Sequence, residues 1–273
     1  MKGKILIFGS TGGIGKNFCE FLKNKNIKFY KSSRKRFHRC DLSSKIQVNK
    51  ILKKLKPSII LNFTGSYSNN FQIDFKNNFI HTKNIFDATI QTNQKNIKII
   101  ILGSAAEYGK LINEKNGVKE TQICKPDNNY GFTKYMQTKL SKFYVENYGL
   151  NIVVARVFNV LSNNAKSKLF FSDLNYKLNQ LRKNKKKNIK LIKDLSLRDF
   201  INHNHLNKSL YKIIRKGLKN NIYNIGVGKK ISSYDIVKKY IKLNKIKASR
   251  INFILKTNKI KSFYADITKL KNL

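Results

Sequence analysis

The sequence is poor in acidic residues: 14 Asp and Glu stand against 57 Lys and Arg, for a formal net charge of +43. So basic a chain is typical of a protein with a polyanionic partner, such as RNA, DNA or an anionic membrane face. The lysines are spread along the whole chain, with many asparagines and isoleucines, as in proteins from AT-rich genomes. We therefore favour a compositional origin for the charge. RNA binding is kept as an alternative hypothesis for the function of the protein.

Cysteine is also scarce, and long apolar runs are missing. Cys19, Cys40 and Cys124 have no paired spacing, which argues against disulfides and against a zinc site. We therefore expect a protein of the reducing cytoplasm that binds no metal. The longest apolar runs have the length of strands, so no membrane span is expected. The first run, Ile5–Phe8, is too short for a signal peptide and ends in glycines.

What the sequence does contain is a glycine-rich turn directly after its first apolar run. Gly9, Gly12 and Gly15 have the spacing Gly-x-x-Gly-x-x-Gly, and apolar residues at helical spacing follow over residues 14–22. Glycines let the backbone approach a pyrophosphate, and a helix N-terminus offers free amides to it. A plain tight turn is the alternative. The place after the first strand favours a dinucleotide site.

Strands and helices then alternate with short connections. Further buried strands are predicted near residues 27–31, 37–41, 58–63, 97–102, 151–155 and 222–228. Helices are predicted from Asp41 to Pro57, with Ile46 on its apolar stripe, and over residues 71–92, 130–148, 173–182 and 232–243. This order predicts an α/β fold, a doubly wound parallel Rossmann sheet with a small C-terminal α+β substrate lobe. We expect domains of 1–162 and 163–273, interleaved near 190–225.

The end of the second strand bears on the choice of cofactor. A carboxylate there would hold the ribose 2′-hydroxyl of NAD, but no acid occurs between Glu20 and Asp41. Ser33 and Arg34 lie in this zone and suit the extra phosphate of NADP. We therefore expect NADP, with NAD as the other possibility.

Three further residues suggest chemistry at the carboxyl edge of the sheet. Ser104 follows the strand near 97–102, where ligands of an open parallel sheet bind. Tyr130 and Lys134 are four residues apart and share one helix face. An ammonium beside a phenol would lower the phenol pKa from about 10. In a lysine-rich chain this pair means little without Ser104 and the glycine turn.

Together these segments resemble the extended short-chain dehydrogenase/reductase family of NAD(P)-dependent nucleotide-sugar epimerases, dehydratases and reductases. The resemblance spans residues 3–240, includes the segments 78–82, 156–159, 198–201 and 224–228, and implies Ser104, Tyr130 and Lys134 as catalytic residues. It implies these cofactor-binding residues besides Tyr130 and Lys134: Gly9, Thr11, Gly12, Gly13, Ile14, Gly15, Ser33, Arg34, Asp41, Leu42, Asn62, Thr64, Gly65 and Asn78. It implies these substrate-binding residues: Ser104, Ala105, Ala106, Asn159 and Arg198.

The resemblance also narrows the reaction. Sugar 4,6-dehydratases have Asp and Glu where this chain has Ala106 and Ala105, and Glu107 is one place late, so we set dehydration aside. A reductase of a 4-keto-6-deoxy nucleotide sugar fits best, since the segment 103–109 looks most like reductases of GDP-4-keto-6-deoxy-mannose. A nucleotide-sugar 4-epimerase is the alternative. Relatives often dimerise through the helix carrying the tyrosine, so we expect a homodimer.

Overall fold

The computed structural model describes residues 3–35, 37–68, 70–109, 116–161, 170–243, 245–255 and 262–273. The strands are β1 (Ile5–Phe8), β2 (Phe29–Ser33), β3 (His38–Arg39), β4 (Ile59–Asn62), β5 (Lys98–Ser104), β6 (Asn151–Val157), β7 (Asn159–Val160), β8 (Ile189–Lys193), β9 (Leu197–Arg198), β10 (Phe200–Ile201), β11 (Asn221–Ile225), β12 (Ile231–Ser232), β13 (Ile251–Leu255) and β14 (Ser262–Phe263). The α-helices are α1 (Gly13–Asn24), α2 (Lys45–Leu55), α3 (Phe71–Phe75), α4 (His81–Gln91), α5 (Asn129–Tyr148), α6 (Phe170–Arg182), α7 (His203–Lys216), α8 (Ser233–Leu243) and α9 (Thr268–Lys271).

Seven of these strands form one parallel sheet in the order β11-β6-β5-β4-β1-β2-β3. Strand β1, which lies between β4 and β2, is buried on both faces. Ile5 and Ile7 pack with α1 and α7, whereas Leu6 and Phe8 pack with α2 and α4 on the opposite face. Helices thus cover both faces, and the predicted α/β class with a doubly wound parallel sheet is confirmed.

Smaller sheets make up the C-terminal lobe. β8 pairs with β13, and β9 lies between β12 and β14. Asp199, between β9 and β10, is fully buried and accepts hydrogen bonds from the amides of Val227, Gly228 and Ala265. The predicted domain boundary near 162 lies outside the described residues and stays a prediction.

Several element boundaries differ from the sequence predictions, and the two nearest the glycine turn are those of α2 and β2. The helix expected to open at Asp41 begins at Lys45, because the Ser44 side chain caps it by accepting from the amide of Gln47. Ile46 is consequently 79% exposed, and Val48 takes the buried position instead. The strand expected near 27–31 starts two residues later, at Phe29, and runs on to Ser33.

The helix predicted over 71–92 is interrupted by a π-helical turn at Lys76–Ile80, between α3 and α4. The turn carries Asn78, which is fully buried. Single π-helical turns inside α-helices are frequent at functional sites. Among the described residues, no helix has both the length and the apolar character needed to cross a membrane.

Candidate active site

The glycine turn between β1 and α1 is built as a ligand cradle. Gly9 has φ +74°, and a Cβ on Gly15 would lie 2.2 Å from the Gly9 carbonyl oxygen, so both positions require glycine. Gly12 is the N-cap of α1, and no side chain caps the helix there. The N-terminus of α1 therefore keeps its amides and its positive dipole end available for an anion.

A cavity of about 350 Å³ opens beside this turn. Eight of the predicted cofactor residues line it: Gly9, Thr11, Gly12, Ser33, Arg34, Leu42, Thr64 and Gly65. The cavity thus extends from the glycine turn past the end of β2 to the segment after β4. This is the crevice at the carboxyl ends of the strands where a dinucleotide binds in such sheets, so the residues present fit a dinucleotide cofactor.

Two other predicted cofactor residues, Asn62 and Asp41, do not line the cavity. The amide of Asn62 donates to Thr82 Oγ1 at 3.0 Å, and its oxygen accepts the amide of Thr64 at 3.1 Å. Asp41 accepts the amide of Ser43 at 2.9 Å, which holds its carboxyl pKa low. Asn62 is fully buried and binds the cavity residue Thr64, and Asp41 lies in sequence between the cavity residues Cys40 and Leu42. Gly13, Ile14, Gly15 and Asn78 are also absent from the lining.

His81 is a cavity residue that the sequence analysis did not assign. It is almost fully buried, its Nε2 lies 3.1 Å from Ser43 Oγ, and burial lowers its pKa to about 4. His81 belongs to the segment 78–82, one of those that carry the family resemblance, and this was the sequence signal for the residue. Ser66 and Asn77 also line the cavity, and nothing local in the sequence distinguishes them.

Ser104 and Tyr130 come together although they are distant in sequence. Ser104 ends β5, and its hydroxyl accepts the amide of Ala106 at 3.2 Å in the 3₁₀ turn Ala105–Tyr108. The start of α5 packs closely on this turn: a Cβ added to Gly131 would lie only 2.4 Å from the Ala106 carbonyl oxygen. The Ser104 hydroxyl is thereby brought near enough to the Tyr130 phenol to lower the phenol pKa through hydrogen bonding.

The pKa of Tyr130 is raised, not lowered, which corrects the sequence expectation. Burial of the phenol is the largest cause, and its hydrogen bond with Ser104 opposes the rise. Tyr130 is therefore a neutral phenol at pH 7 and can donate a proton.

Lys134 lies one helical turn after Tyr130 and is buried. Its ammonium donates to the carbonyl oxygen of Leu102 at 2.9 Å and to Gln137 Oε1 at 3.1 Å. Burial lowers the pKa of Lys134 to about 8, while Glu107 and Asp74 oppose that fall. A Cβ on Gly65 would lie 3.1 Å from Lys134 Nζ. The ammonium therefore adjoins the end of the cofactor cavity.

Glu107 has a structural role. Its carboxylate is fully buried and accepts hydrogen bonds from the amide of Ser104, Thr138 Oγ1 and the Arg156 guanidinium. The Arg156 guanidinium also stacks on the ring of Tyr108. A carboxylate held in this way is not free to act as an acid on a bound ligand.

The predicted substrate residues lie on both lobes. Asn159 Nδ2 donates to the carbonyl oxygen of Asp199 at 3.0 Å, which brings it beside Arg198. Arg198 pairs with Asp194 at 3.4 Å, and its Nε is buried without a hydrogen-bond partner among the described residues. Ala105 is buried and Ala106 half-buried in the turn after Ser104.

Comparison with known proteins places this geometry in a family. Residues 5–226 match the NAD dependent epimerase/dehydratase family. GDP-6-deoxy-D-talose 4-dehydrogenase of Aggregatibacter actinomycetemcomitans is 27% identical over 278 residues, covering 99% of this chain and 90% of the relative. UDP-glucose 4-epimerase of Mycoplasma genitalium is 28% identical over 184 residues, covering 58% of this chain and 53% of the relative.

The solved structures share the fold. RMD from Pseudomonas aeruginosa complexed with NADPH superposes with a TM-score of 0.89 at 15% identity, covering 99% of this chain and 92% of that one. UDP-glucose 4-epimerase from Thermotoga maritima with UDP-glucose gives a TM-score of 0.85 at 18% identity, covering 98% and 91%. The family match spans most of the sequence and confirms the resemblance read from its motifs. The chain is a member of the NAD-dependent epimerase/dehydratase family, whose enzymes modify nucleotide sugars with NAD(P).

Proposed function

We propose that this enzyme reduces the 4-keto group of a 4-keto-6-deoxy nucleotide sugar with NADPH. The observation that carries the proposal is the convergence of Ser104 and Tyr130 at the carboxyl end of β5, with the buried Lys134 one turn further along α5. A GDP-6-deoxy-D-talose 4-dehydrogenase among the relatives and an NADPH complex among the similar folds support it.

The three side chains have separate roles in this reduction. The bound cofactor supplies hydride chemistry at the nicotinamide ring. Tyr130 donates its phenolic proton to the sugar oxygen as general acid, for which its raised pKa keeps it protonated at pH 7. Ser104 donates a hydrogen bond to the same oxygen and polarises the carbonyl. The Lys134 ammonium stabilises the negative charge that develops on the phenol as the proton leaves, and binds the nicotinamide ribose.

Dehydration is disfavoured by the same turn. Ala105 and Ala106 offer no acid to expel a 6-hydroxyl, and the neighbouring Glu107 is buried in its pair with Arg156. A 4-epimerase uses the same three groups without net oxidation of the cofactor, and UDP-glucose 4-epimerase is among the relatives. Epimerisation therefore stays the alternative that experiment must separate.

Arg34 favours NADPH over NADH. It lines the cavity beside Ser33 at the end of β2, and its guanidinium suits bidentate contact with a phosphate. On the substrate side, the buried Nε of Arg198, which has no hydrogen-bond partner in the described part of the chain, is suited to the diphosphate of a nucleotide sugar. Asn159 and the Ala105–Ala106 backbone complete the proposed substrate contacts.

We further propose a homodimer formed through α5. Phe132 and Phe143 of this helix are 45% and 49% exposed, and Phe71 of α3 stacks on Phe132 while 41% exposed. Exposed aromatic clusters of this kind mark protein interfaces. Sedimentation should report two chains of 31.7 kDa; a single chain would contradict this interface.

The charge distribution gives no reason to prefer RNA binding. Exposed lysines occur on α2, at Lys53 and Lys54, and also in the turn after α6, at Lys185 and Lys186. Basic residues on both lobes favour a compositional origin for the net charge. The free thiols of Cys19, Cys40 and Cys124 fit the proposed cytoplasmic location.

The test of the proposed reaction is NADPH oxidation with freshly generated 4-keto-6-deoxy sugars carrying GDP, UDP or dTDP. We expect oxidation with one of them, at one NADPH per sugar. Interconversion of 4-epimers without oxidation of any cofactor would replace the reductase by the epimerase.

A further inference from the structure

Tyr67 lies against the catalytic phenol. The rings of Tyr67 and Tyr130 are perpendicular, with centroids 5.2 Å apart, and Tyr67 is 44% exposed. It belongs to the segment between β4 and α3, and the three residues before it, Thr64, Gly65 and Ser66, line the cofactor cavity. Tyr67 therefore lies between the end of that cavity and the proton donor Tyr130.

The segment is fixed on both sides of Tyr67. Asn78 binds both backbone groups of Ser66: its Oδ1 accepts the amide at 3.0 Å, and its Nδ2 donates to the carbonyl oxygen at 3.2 Å. Asp74 accepts the Ser66 hydroxyl at 2.7 Å and the amide of Ser68 at 3.0 Å.

Both Asn78 and Asp74 are fully buried. Burying a carboxylate is costly unless it is well hydrogen-bonded, and here the hydrogen bonds of Asp74 go to the residues that flank Tyr67. The fold thus uses two buried polar side chains to hold one exposed aromatic ring beside the general acid. A ring that only filled space next to Tyr130 would not need so rigid a support.

We propose that Tyr67 is a substrate-binding residue, whose exposed ring packs against the pyranose ring of the nucleotide sugar. The C–H face of a pyranose is apolar, and aromatic side chains supply the apolar walls of such small-molecule sites. Packing the sugar there presents its ring to the Tyr130 hydroxyl. The inference rests on the proposed function, since it places the reacting sugar at Tyr130.

The test compares two kinds of ligand at saturating NADP. Calorimetry measures the Kd of GDP-mannose, UDP-glucose and dTDP-glucose, and the Kd of GDP, UDP and dTDP, for wild type, Tyr67→Ala and Tyr67→Phe. We expect Tyr67→Ala to weaken binding of the preferred nucleotide sugar by about fivefold to tenfold, while its nucleoside diphosphate changes by less than about twofold. Tyr67→Phe keeps the ring and should bind like wild type.

A matched control is Tyr176→Ala, because Tyr176 is 53% exposed on α6; it should change neither Kd. Equal losses for the sugar and the diphosphate, or no loss for either, would overturn the assignment of Tyr67. So would a Tyr67→Phe defect as large as that of Tyr67→Ala.

The two proposals fail in different ways. Wild-type protein that binds a nucleotide sugar but oxidises no NADPH refutes the reduction, and the Tyr67 comparison is still read from binding. Turnover by wild type with an unchanged sugar affinity in Tyr67→Ala refutes the Tyr67 assignment alone. Wild-type protein that binds none of these ligands overturns both.

Discussion

Glu107 and Arg156 form an ion pair of 2.8 Å in which the two side chains are 0% and 2% exposed. The pair lies directly beneath the turn Ala105–Tyr108, because the Glu107 carboxylate also accepts the amide of Ser104 at 2.7 Å. Two charges, the aromatic ring of Tyr108 and the backbone of Ser104 are therefore packed as one unit.

The first prediction concerns this pair. Glu107→Ala leaves the Arg156 cation buried and unpaired, so we expect the free energy of unfolding to fall by about 3–5 kcal/mol. Urea denaturation measures it. Glu146→Ala removes the exposed pair with Lys142, whose side chains are 50% and 62% exposed, and should cost no more than about 1 kcal/mol. Similar losses for the two variants would show that Glu107 is not structurally special.

A second prediction separates two glycines of the turn. A Cβ on Gly12 would lie 3.4 Å from the Gly9 carbonyl oxygen, an ordinary contact, whereas one on Gly15 would lie at 2.2 Å. Gly15→Ala should therefore destabilise the protein. Gly12→Ala should keep the stability of wild type but lose NADPH binding, measured by fluorescence titration. Unchanged NADPH affinity in Gly12→Ala would mean that the turn does not hold the cofactor.

The third prediction concerns cofactor choice. Arg34→Ala should weaken NADPH binding by about tenfold or more and leave NADH binding nearly unchanged, because a charge-assisted contact with the 2′-phosphate is lost. Lys35→Ala is the control, since Lys35 is equally exposed but does not line the cavity. An equal effect of the two substitutions would indicate general attraction by positive charge.

A fourth prediction follows from the Lys134 pKa of about 8. Its ammonium is present below that pH and is lost above it, so the rate of reduction should decline as the pH rises through about 8. Lys134→Met removes the charge at every pH and should be slower throughout, without that decline. A wild-type profile that stays flat to pH 9.5 would contradict the role given to the ammonium.

Much of the site could be predicted because its signals are local in sequence. The glycine turn follows its strand directly, and Tyr130 and Lys134 share one helix face. Tyr67 and Asp74 could not be found in that way, because their contacts depend on how the segment after β4 folds onto α3. The predicted direction of the Tyr130 pKa shift was wrong for a related reason. Burial of the phenol depends on the tertiary fold, and the spacing of Tyr130 and Lys134 carries no information about it.

The start of α2 shows a different limit. Asp41 and Ser44 are both good capping residues, and the sequence offers no way to rank them. In the fold, Asp41 caps the turn at Ser43 and Ser44 caps the helix. Because the helix begins after Ser44, Ile46 lies in its first turn and faces solvent.

In the proposed reaction, hydride passes to the sugar carbon while Tyr130 protonates the oxygen. The measurement uses NADPH that carries deuterium at both hydrogen positions of nicotinamide C4, and NMR of the product reports the deuterium transferred to the sugar. We predict one deuterium at C4 of the sugar per NADPH oxidised, and a rate about 10²–10⁴ lower in Tyr130→Phe. Product without deuterium, or an unchanged rate in Tyr130→Phe, would contradict the account.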